Sequence, residues 1–258
     1  MILNRIKKFF RRICGFGENE HDIIDFASSL VITNLTETEN FKPYRKQKKL
    51  IRHIQKNRFS ICKASRQSGK TLISIVYILY AIYHCSDTSV VIIGHSYNSS
   101  VDILNRLREI FLRSQIFEDN YLTLVVDRKD RLQFSNGSTV EVLDSSKTAF
   151  MGKSYEICVL DEYAFFSEQQ KYFIQNVIFP YVFSHNNTKL IISSSLVSTH
   201  FDDDFNMLYH DAIIGKNQLV PFLIYWRDIP GKNRMWRKYM IRSIGVNAFN
   251  KEYNCICR

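Results

Sequence analysis

A doubly wound, mainly parallel α/β sheet with helices on both faces and a small antiparallel insertion is the fold that three observations predict. Short unbroken Val/Ile/Leu runs alternate with helix-period segments, the pattern of parallel strands covered on both sides. A Gly-Lys-Thr step follows one such run directly and opens an apolar helix. The chain has 258 residues, 45% hydrophobic, with only 9 Gly and 4 Pro. That suits one large domain with a buried core, and no stretch reads as a linker, a repeat or low complexity.

Residues 1–40 read as a basic N-terminal helix and a lead-in, and residues 41–258 as the domain itself. In residues 1–16 the apolar Ile2, Ile6, Phe9, Phe10 and Ile13 are interrupted by Arg5, Lys7, Lys8, Arg11 and Arg12. A signal peptide would need an uninterrupted apolar core; the alternatives are a short amphipathic helix lying on a membrane and, as expected here, a helix resting on the protein's own surface or on DNA. Residues 17–40 are polar and acidic, an ordered lead-in or a helix with loose ends.

Phe59–Ala64 then reads as a buried strand, residues 71–83 as a helix apolar almost all round, residues 89–94 (SVVIIG) as a strand and residues 99–112 as an amphipathic helix. Residues 122–126, 131–134 and 139–143 alternate in polarity and are joined by turn signals such as Asn136-Gly137, which gives the antiparallel insertion. A strand at 156–160, a helix at 168–182, a strand at 189–194, a helix at 202–214 and a strand at 218–225 complete the alternation. Residues 235–244 form a capping helix. A ligand of such a sheet belongs at the carboxyl ends of the strands.

Lys and Arg number 35 against 25 Asp and Glu, a net charge of +10. That excess favours a polyanionic partner, because each phosphate contacted releases a counterion. The six cysteines are scattered without the spacing of a zinc site, and a chain of this size needs no disulfides, which places it in a reducing, intracellular compartment. No run of about 20 apolar residues occurs, so no transmembrane helix is expected.

Ala64-Ser65-Arg66-Gln67-Ser68-Gly69-Lys70-Thr71 carries the sharpest chemistry. It is the Walker A pattern with Ala64 in place of its first glycine. Ser65, Arg66, Gln67 and Ser68 form the phosphate loop, and Gly69 lets the backbone close on the phosphates. Lys70 would reach the β- and γ-phosphates of ATP, and Thr71 would hold Mg²⁺. The strand at 156–160 ends in Asp161-Glu162, the Walker B arrangement. Asp161 would serve Mg²⁺, and Glu162 would polarise the attacking water as general base. Together these motifs place the sheet in the P-loop class, of the ASCE, RecA-like kind.

Three positions carry weaker signals. Ser193, Ser194 and Ser195 end the next strand, where hydroxyls suit a sensor of phosphate loss, or simply a polar turn. Gln47 lies upstream of the loop, where an amide could read adenine, or could merely be a surface glutamine. Gly94-His95 closes a strand, and a lone histidine there is more often structural than catalytic.

With these residues in view, the chain from about Phe41 to Tyr253 resembles the ATPase domain of large terminase subunits, the DNA-packaging motors of tailed phages. The resemblance is carried by Gln47, the Arg66-Gln67-x-Gly69-Lys70-Thr71 form of Walker A, the strand ending in Gly94-His95, and Asn136-Gly137-Ser138. It continues through Asp161-Glu162, the Ser193–Ser195 coupling triplet and Phe249-x-x-Glu252. It implies a catalytic role for Arg66 on the γ-phosphate and a coupling role for the three serines. It also implies double-stranded DNA, a portal and a small terminase subunit as partners, a homo-oligomeric ring, and work in the host cytoplasm away from any membrane. Two departures stand out. Met151-Gly152 replaces the Arg-Gly of many terminases, with Lys153 as the available substitute cation. The family's C-terminal nuclease domain is expected to be absent. The competing readings are a helicase-like or DNA-stimulated P-loop ATPase, which would need a second sheet domain, and an ATP-gated scaffold, against which Glu162 argues.

Overall fold

The computed structural model describes residues 20–33, 37–143, 150, 152–195 and 203–255. The basic segment at 1–16 and Met151 lie outside the described residues. The order along the chain begins with α1 (Glu20–Ser29), β1 (Val31–Thr33), β2 (Thr38–Asn40), α2 (Arg45–Lys56), β3 (Phe59–Ala64) and α3 (Lys70–His84). It continues with β4 (Ser89–Ile93), α4 (Tyr97–Arg113), α5 (Gln115–Asp119), β5 (Leu124–Asp127), β6 (Arg131–Phe134), β7 (Thr139–Val142) and β8 (Ile157–Asp161). Then come α6 (Glu168–Phe173), α7 (Phe179–Ser184), β9 (Lys189–Ser194), α8 (Asp204–Ile213), β10 (Val220–Ile224), α9 (Arg234–Ile244) and α10 (Val246–Phe249).

One eight-stranded sheet runs in the order β10-β3-β9-β8-β4-β7-β6-β5. The first six strands pair in parallel, and β6 and β5 close the edge antiparallel. The expected antiparallel insertion is continuous with the main sheet: β7 joins it in parallel beside β4, β6 turns back against β7, and β5, antiparallel to β6, runs the way of β7 again. Alternation in polarity could not reveal this, since a strand near a sheet edge is half exposed whichever way it runs.

Two apolar clusters cover the two faces. On one side α1, α2, α3 and α4 pack over the sheet around Tyr77, Leu79 and Ile82. On the other, α6, α7 and α8 pack around Phe173, Ile178 and Phe205. Helix α3 is buried along almost its whole length, which is why its residues are apolar on every face. The helix expected at 168–182 is interrupted by a π-helical turn, Ile174–Ile178. Pro180, which has no amide hydrogen to offer the carbonyl four residues back, stands just after that wider turn.

Three polar clamps hold helix ends. Asn136 Nδ2 donates to the carbonyls of Ile82 and Cys85 at 2.8 and 3.1 Å, and Ser138 Oγ donates to Cys85 at 3.2 Å. The Asn-Gly-Ser turn thus satisfies the last carbonyls of α3. Ser96 caps α4. Lys189 Nζ donates to the carbonyls of Ile54, Gln55 and Asn57 at the end of α2. Burial pushes this ammonium down to about 7, while the three acceptors favour its charged form, which alone carries three protons.

The lead-in before Phe41 is part of the core. Ile23, Phe26, Ala27 and Leu30 are buried, and Phe26 meets the rings of Tyr80, Tyr83 and Phe117. Phe26→Ala is expected to cost about 3–5 kcal/mol, the usual loss for a buried phenylalanine. Urea unfolding should show a lower midpoint at unchanged slope. A loss below about 1 kcal/mol would mean that α1 is not part of the cooperative unit.

Candidate active site

The carboxyl end of β3 runs straight into the loop 65–69, which turns before α3. The turn needs two residues in the left-handed region, Gln67 at φ 61° and Gly69 at φ 80°. Gly69 is required on both counts, because a Cβ there would also sit 2.5 Å from Gln47 Nε2. Lys70 opens α3 with its side chain only 7% exposed.

Two cross-ties join this loop to the end of β8. Lys70 Nζ donates to Glu162 Oε1 at 2.6 Å, and Thr71 Oγ1 donates to Asp161 Oδ2 at 2.7 Å. Glu162 sits in the left-handed region at φ 57°, unusual for a residue with a Cβ, and this turns its carboxyl back toward the loop. Burial pushes the Asp161 carboxyl up, and the opposing Lys70 charge and Ser193 and Thr71 hydroxyls do not fully offset it. Burial also acts on Glu162, but there the Lys70 ammonium and the Ser195 amide and hydroxyl outweigh it, holding the carboxyl below its ordinary value.

The serine triplet stands on these carboxylates rather than facing open space. Ser193 Oγ donates to Asp161 Oδ1. Ser195 donates to Glu162 Oε2 through its amide at 3.1 Å and its hydroxyl at 3.2 Å, and Ser194 Oγ approaches the same oxygen at 3.5 Å. The backbone of Ala164 in turn donates to Ser194 Oγ at 3.0 Å.

Gln47 is not a surface side chain. Buried beneath the loop, it donates from Nε2 to the Ser68 carbonyl at 3.2 Å and accepts from the Tyr44 amide at 3.2 Å. Tyr44 Oη donates to the same Ser68 carbonyl at 2.8 Å. The missed partner is Tyr44, whose only signal was its place three residues before Gln47. Ser65 is fully buried and its amide donates to Ile224 at 2.8 Å. Ser68 Oγ is buried and has no hydrogen-bond partner among the described residues.

Arg66 reaches the C-terminal segment through Glu252. Its side chain is 63% exposed and its Nη1 lies 3.2 Å from Glu252 Oε2. Its amide donates to the Glu252 carbonyl at 2.9 Å, and its own carbonyl accepts from Lys232 Nζ at 3.1 Å. Sequence reasoning noted Glu252 without a role and missed Lys232. Lys153 is committed elsewhere: its Nζ donates to Glu141 Oε2 at 2.6 Å, with Arg131 on the other oxygen at 3.2 Å.

Beyond Thr71, Asp161 and Glu162 the site opens into a cavity of about 260 Å³, walled by His95 and by Ser99, Asp102 and Arg106 of α4. The strand ending in Gly94-His95 therefore delivers His95 to the site's rim.

Residues 61–206 match the family model described as terminase large subunit, T4likevirus-type, N-terminal. Among solved structures, the chain is similar to the ATPase domain of the large terminase of Thermus phage P74-26. The identity is 16% over 84% of this chain and 95% of that one, with a TM-score of 0.65. It is also similar to the large terminase of bacteriophage HK97, at 16% identity over 91% of this chain and 49% of that one, with a TM-score of 0.66. A large terminase from a thermophilic bacteriophage, in complex with ATP-gamma-S, matches at 14% identity over 83% of this chain and 53% of that one, with a TM-score of 0.61. The chain thus spans about half the length of the last two proteins and nearly all of the P74-26 domain. At these identities the neighbours establish the fold, and the family match, which covers more than half of the residues, establishes the lineage: the chain belongs to the terminase large subunit family.

Proposed function

We propose that this chain binds and hydrolyses ATP with Mg²⁺ and uses the energy to translocate double-stranded viral DNA into a capsid. It would work in the host cytoplasm as one subunit of a ring, with a portal and a small terminase subunit. The pair of cross-ties, Lys70–Glu162 and Thr71–Asp161, carries the reading. It brings one mobile cation, one hydroxyl and two carboxylates to the mouth of a loop whose backbone turns for an anion.

The residues present fit both groups. Thr71 Oγ1 and Asp161 offer the hard oxygens that Mg²⁺ requires, and the unpartnered Ser68 Oγ suits a phosphate oxygen. When bound, the metal would neutralise charge on the phosphates. Lys70 has a choice of anions. Paired with Glu162 it holds that carboxyl below its ordinary value, which makes a poor base. Drawn to the phosphates, it would remove that cause of lowering and leave Glu162 between burial, which raises its affinity for a proton, and the Ser195 amide and hydroxyl, which lower it.

Lys70→Ala should abolish nucleotide binding and turnover together, read by calorimetry and phosphate release. Glu162→Gln keeps the hydrogen bonds and removes the base, so ATP should bind while turnover falls about 10²–10⁴-fold. Turnover near the wild-type rate would move the base to another carboxylate.

Arg66 would leave Glu252 to meet the charge developing on the γ-phosphate. The exposed bridge to Glu252 is worth at most about 1 kcal/mol, so the exchange is cheap. Arg66→Ala should keep near-normal nucleotide affinity while single-turnover hydrolysis drops about 10³-fold. Unchanged hydrolysis would remove the catalytic role.

Gln47 would act by shaping the loop through the Ser68 carbonyl. Gln47→Ala should therefore weaken ATP and GTP binding alike, by roughly tenfold for one lost hydrogen bond. Selective loss of ATP over GTP discrimination would show instead that the amide reads adenine.

A further inference from the structure

We propose that the furrow between α2 and α9 is the surface on which this chain holds the phosphate backbone of double-stranded DNA. The inference rests on the motor reading and adds to it a place for the polymer. Three adjoining hollows, of about 450, 520 and 300 Å³, run between the start of α2 and the start of α9. Helix α2 contributes Arg45, Lys46 and Lys49 to their walls. The segment after β10 contributes Arg227 and Lys232, and α9 contributes Arg234, Arg237 and Lys238. Among the residues that line the hollows Asp228 alone is a carboxylate, and it stands 3.6 Å from Lys46. Among the described residues Arg45, Lys49, Arg234 and Lys238 meet no carboxylate at all.

Part of this charge serves the fold, through Lys46 beside Asp228, Arg237 over the Phe249 ring and Lys232 on the Arg66 carbonyl, but most of it has no such partner. Helix α9 buries no residue and is attached through Trp236, Met240 and Ile241, packed on Trp226, Phe249 and Tyr253. Its sequence, RMWRKYMIRSI, contains Arg234, Arg237, Lys238 and Arg242 and no acid. Helix α2, RKQKKLIRHIQK, contains no acid either. Like charges crowded on two neighbouring helices repel one another and cost stability, a cost that an anion relieves.

The number of cations selects the anion. Arg45, Lys46, Lys49, Arg227, Lys232, Arg234, Arg237 and Lys238 line the three hollows. Eight positive side chains are more than a single triphosphate balances, whereas duplex DNA offers a charge roughly every 1.7 Å of axis. The furrow also touches the catalytic loop. Lys232 lies over the rings of Trp236 and Tyr253 at 4.9 and 5.0 Å and donates to the Arg66 carbonyl at 3.1 Å. A phosphate seated on Lys232 would compete for that ammonium, so DNA occupancy and the setting of Arg66 are linked.

The test uses the full chain, a fluorescent linear duplex and anisotropy titrations between about 50 and 200 mM salt. Arg234→Ala/Lys238→Ala/Arg242→Ala removes three cations from a helix with no buried residue and leaves Arg237, which lies over the Phe249 ring, in place. Arg128→Ala/Lys129→Ala/Lys216→Ala removes three exposed cations away from the furrow, two of them beside β5 at the opposite edge of the sheet. The furrow variant should lose at least about tenfold in duplex affinity, with the salt slope reduced by about 0.9 for each phosphate contact removed. Its turnover without DNA and its KM for ATP should stay at wild-type values, and the second variant should bind DNA as wild type does. Unchanged duplex affinity in the furrow variant would overturn the proposal, as would equal losses in both variants or a raised KM for ATP with DNA binding intact. A wild-type chain that binds no duplex would instead remove the motor reading, and this surface with it.

Discussion

Everything at this site depends on one strand standing between two loops. In the sheet β9 separates β3 from β8, so the phosphate loop and the Asp161-Glu162 turn are two strand spacings apart, about 10 Å. That gap is wide enough for a phosphate chain, yet the long side chain of Lys70 still closes it, at 2.6 Å from Glu162. If β3 and β8 were neighbours, the carboxylates would crowd the loop and leave no room for an anion. The strand that makes the gap also fills its floor, because its last residues are Ser193 and Ser194.

The triplet's contacts follow from that register. Ser193 pairs with Asp161 across the β8–β9 ladder and meets it again through its hydroxyl, while Ser195 reaches Glu162 just beyond. Movement of β9 therefore alters both carboxylates at once. It also alters the loop, since Ser194 lies opposite Lys63 at the end of β3. A coupling element need not touch phosphate in this arrangement. It needs only to share backbone ladders with the strands that do.

The sequence was legible where one local rule governed the outcome. Strand β3, helix α3 and the loop between them follow from an apolar run, a Gly-Lys-Thr step and another apolar run, and β8 with Asp161-Glu162 follows the same logic. It was less legible where partners lie far along the chain. The role of Gln47 is set by a carbonyl 21 residues away, and that of Arg66 by a carboxylate 186 residues away. No window contains both members of either pair. The direction of β7 is likewise decided by pairing with β4 and leaves no trace in its alternation. The acidic lead-in hid a buried face because Ile23, Phe26 and Leu30 are diluted in the sequence of one short helix and its end by Glu20, Asp22 and Asp25.

Arg66 shows how a loop can be rigid in backbone and free in side chain. Its amide and carbonyl are both engaged, by the Glu252 carbonyl and by Lys232, while its exposed guanidinium holds only the half-buried Glu252 carboxylate. The two backbone bonds keep the loop's path tied to the C-terminal segment. The side-chain bond is worth little in water. A phosphate with developing charge offers the guanidinium a planar, bidentate match that a single carboxylate oxygen does not. Under the proposed catalytic role, the guanidinium would keep Glu252 only while no nucleotide occupies the loop. Because the same Glu252 also anchors the backbone, releasing its side chain need not release the loop. The arginine can turn inward while the phosphate cradle keeps its shape.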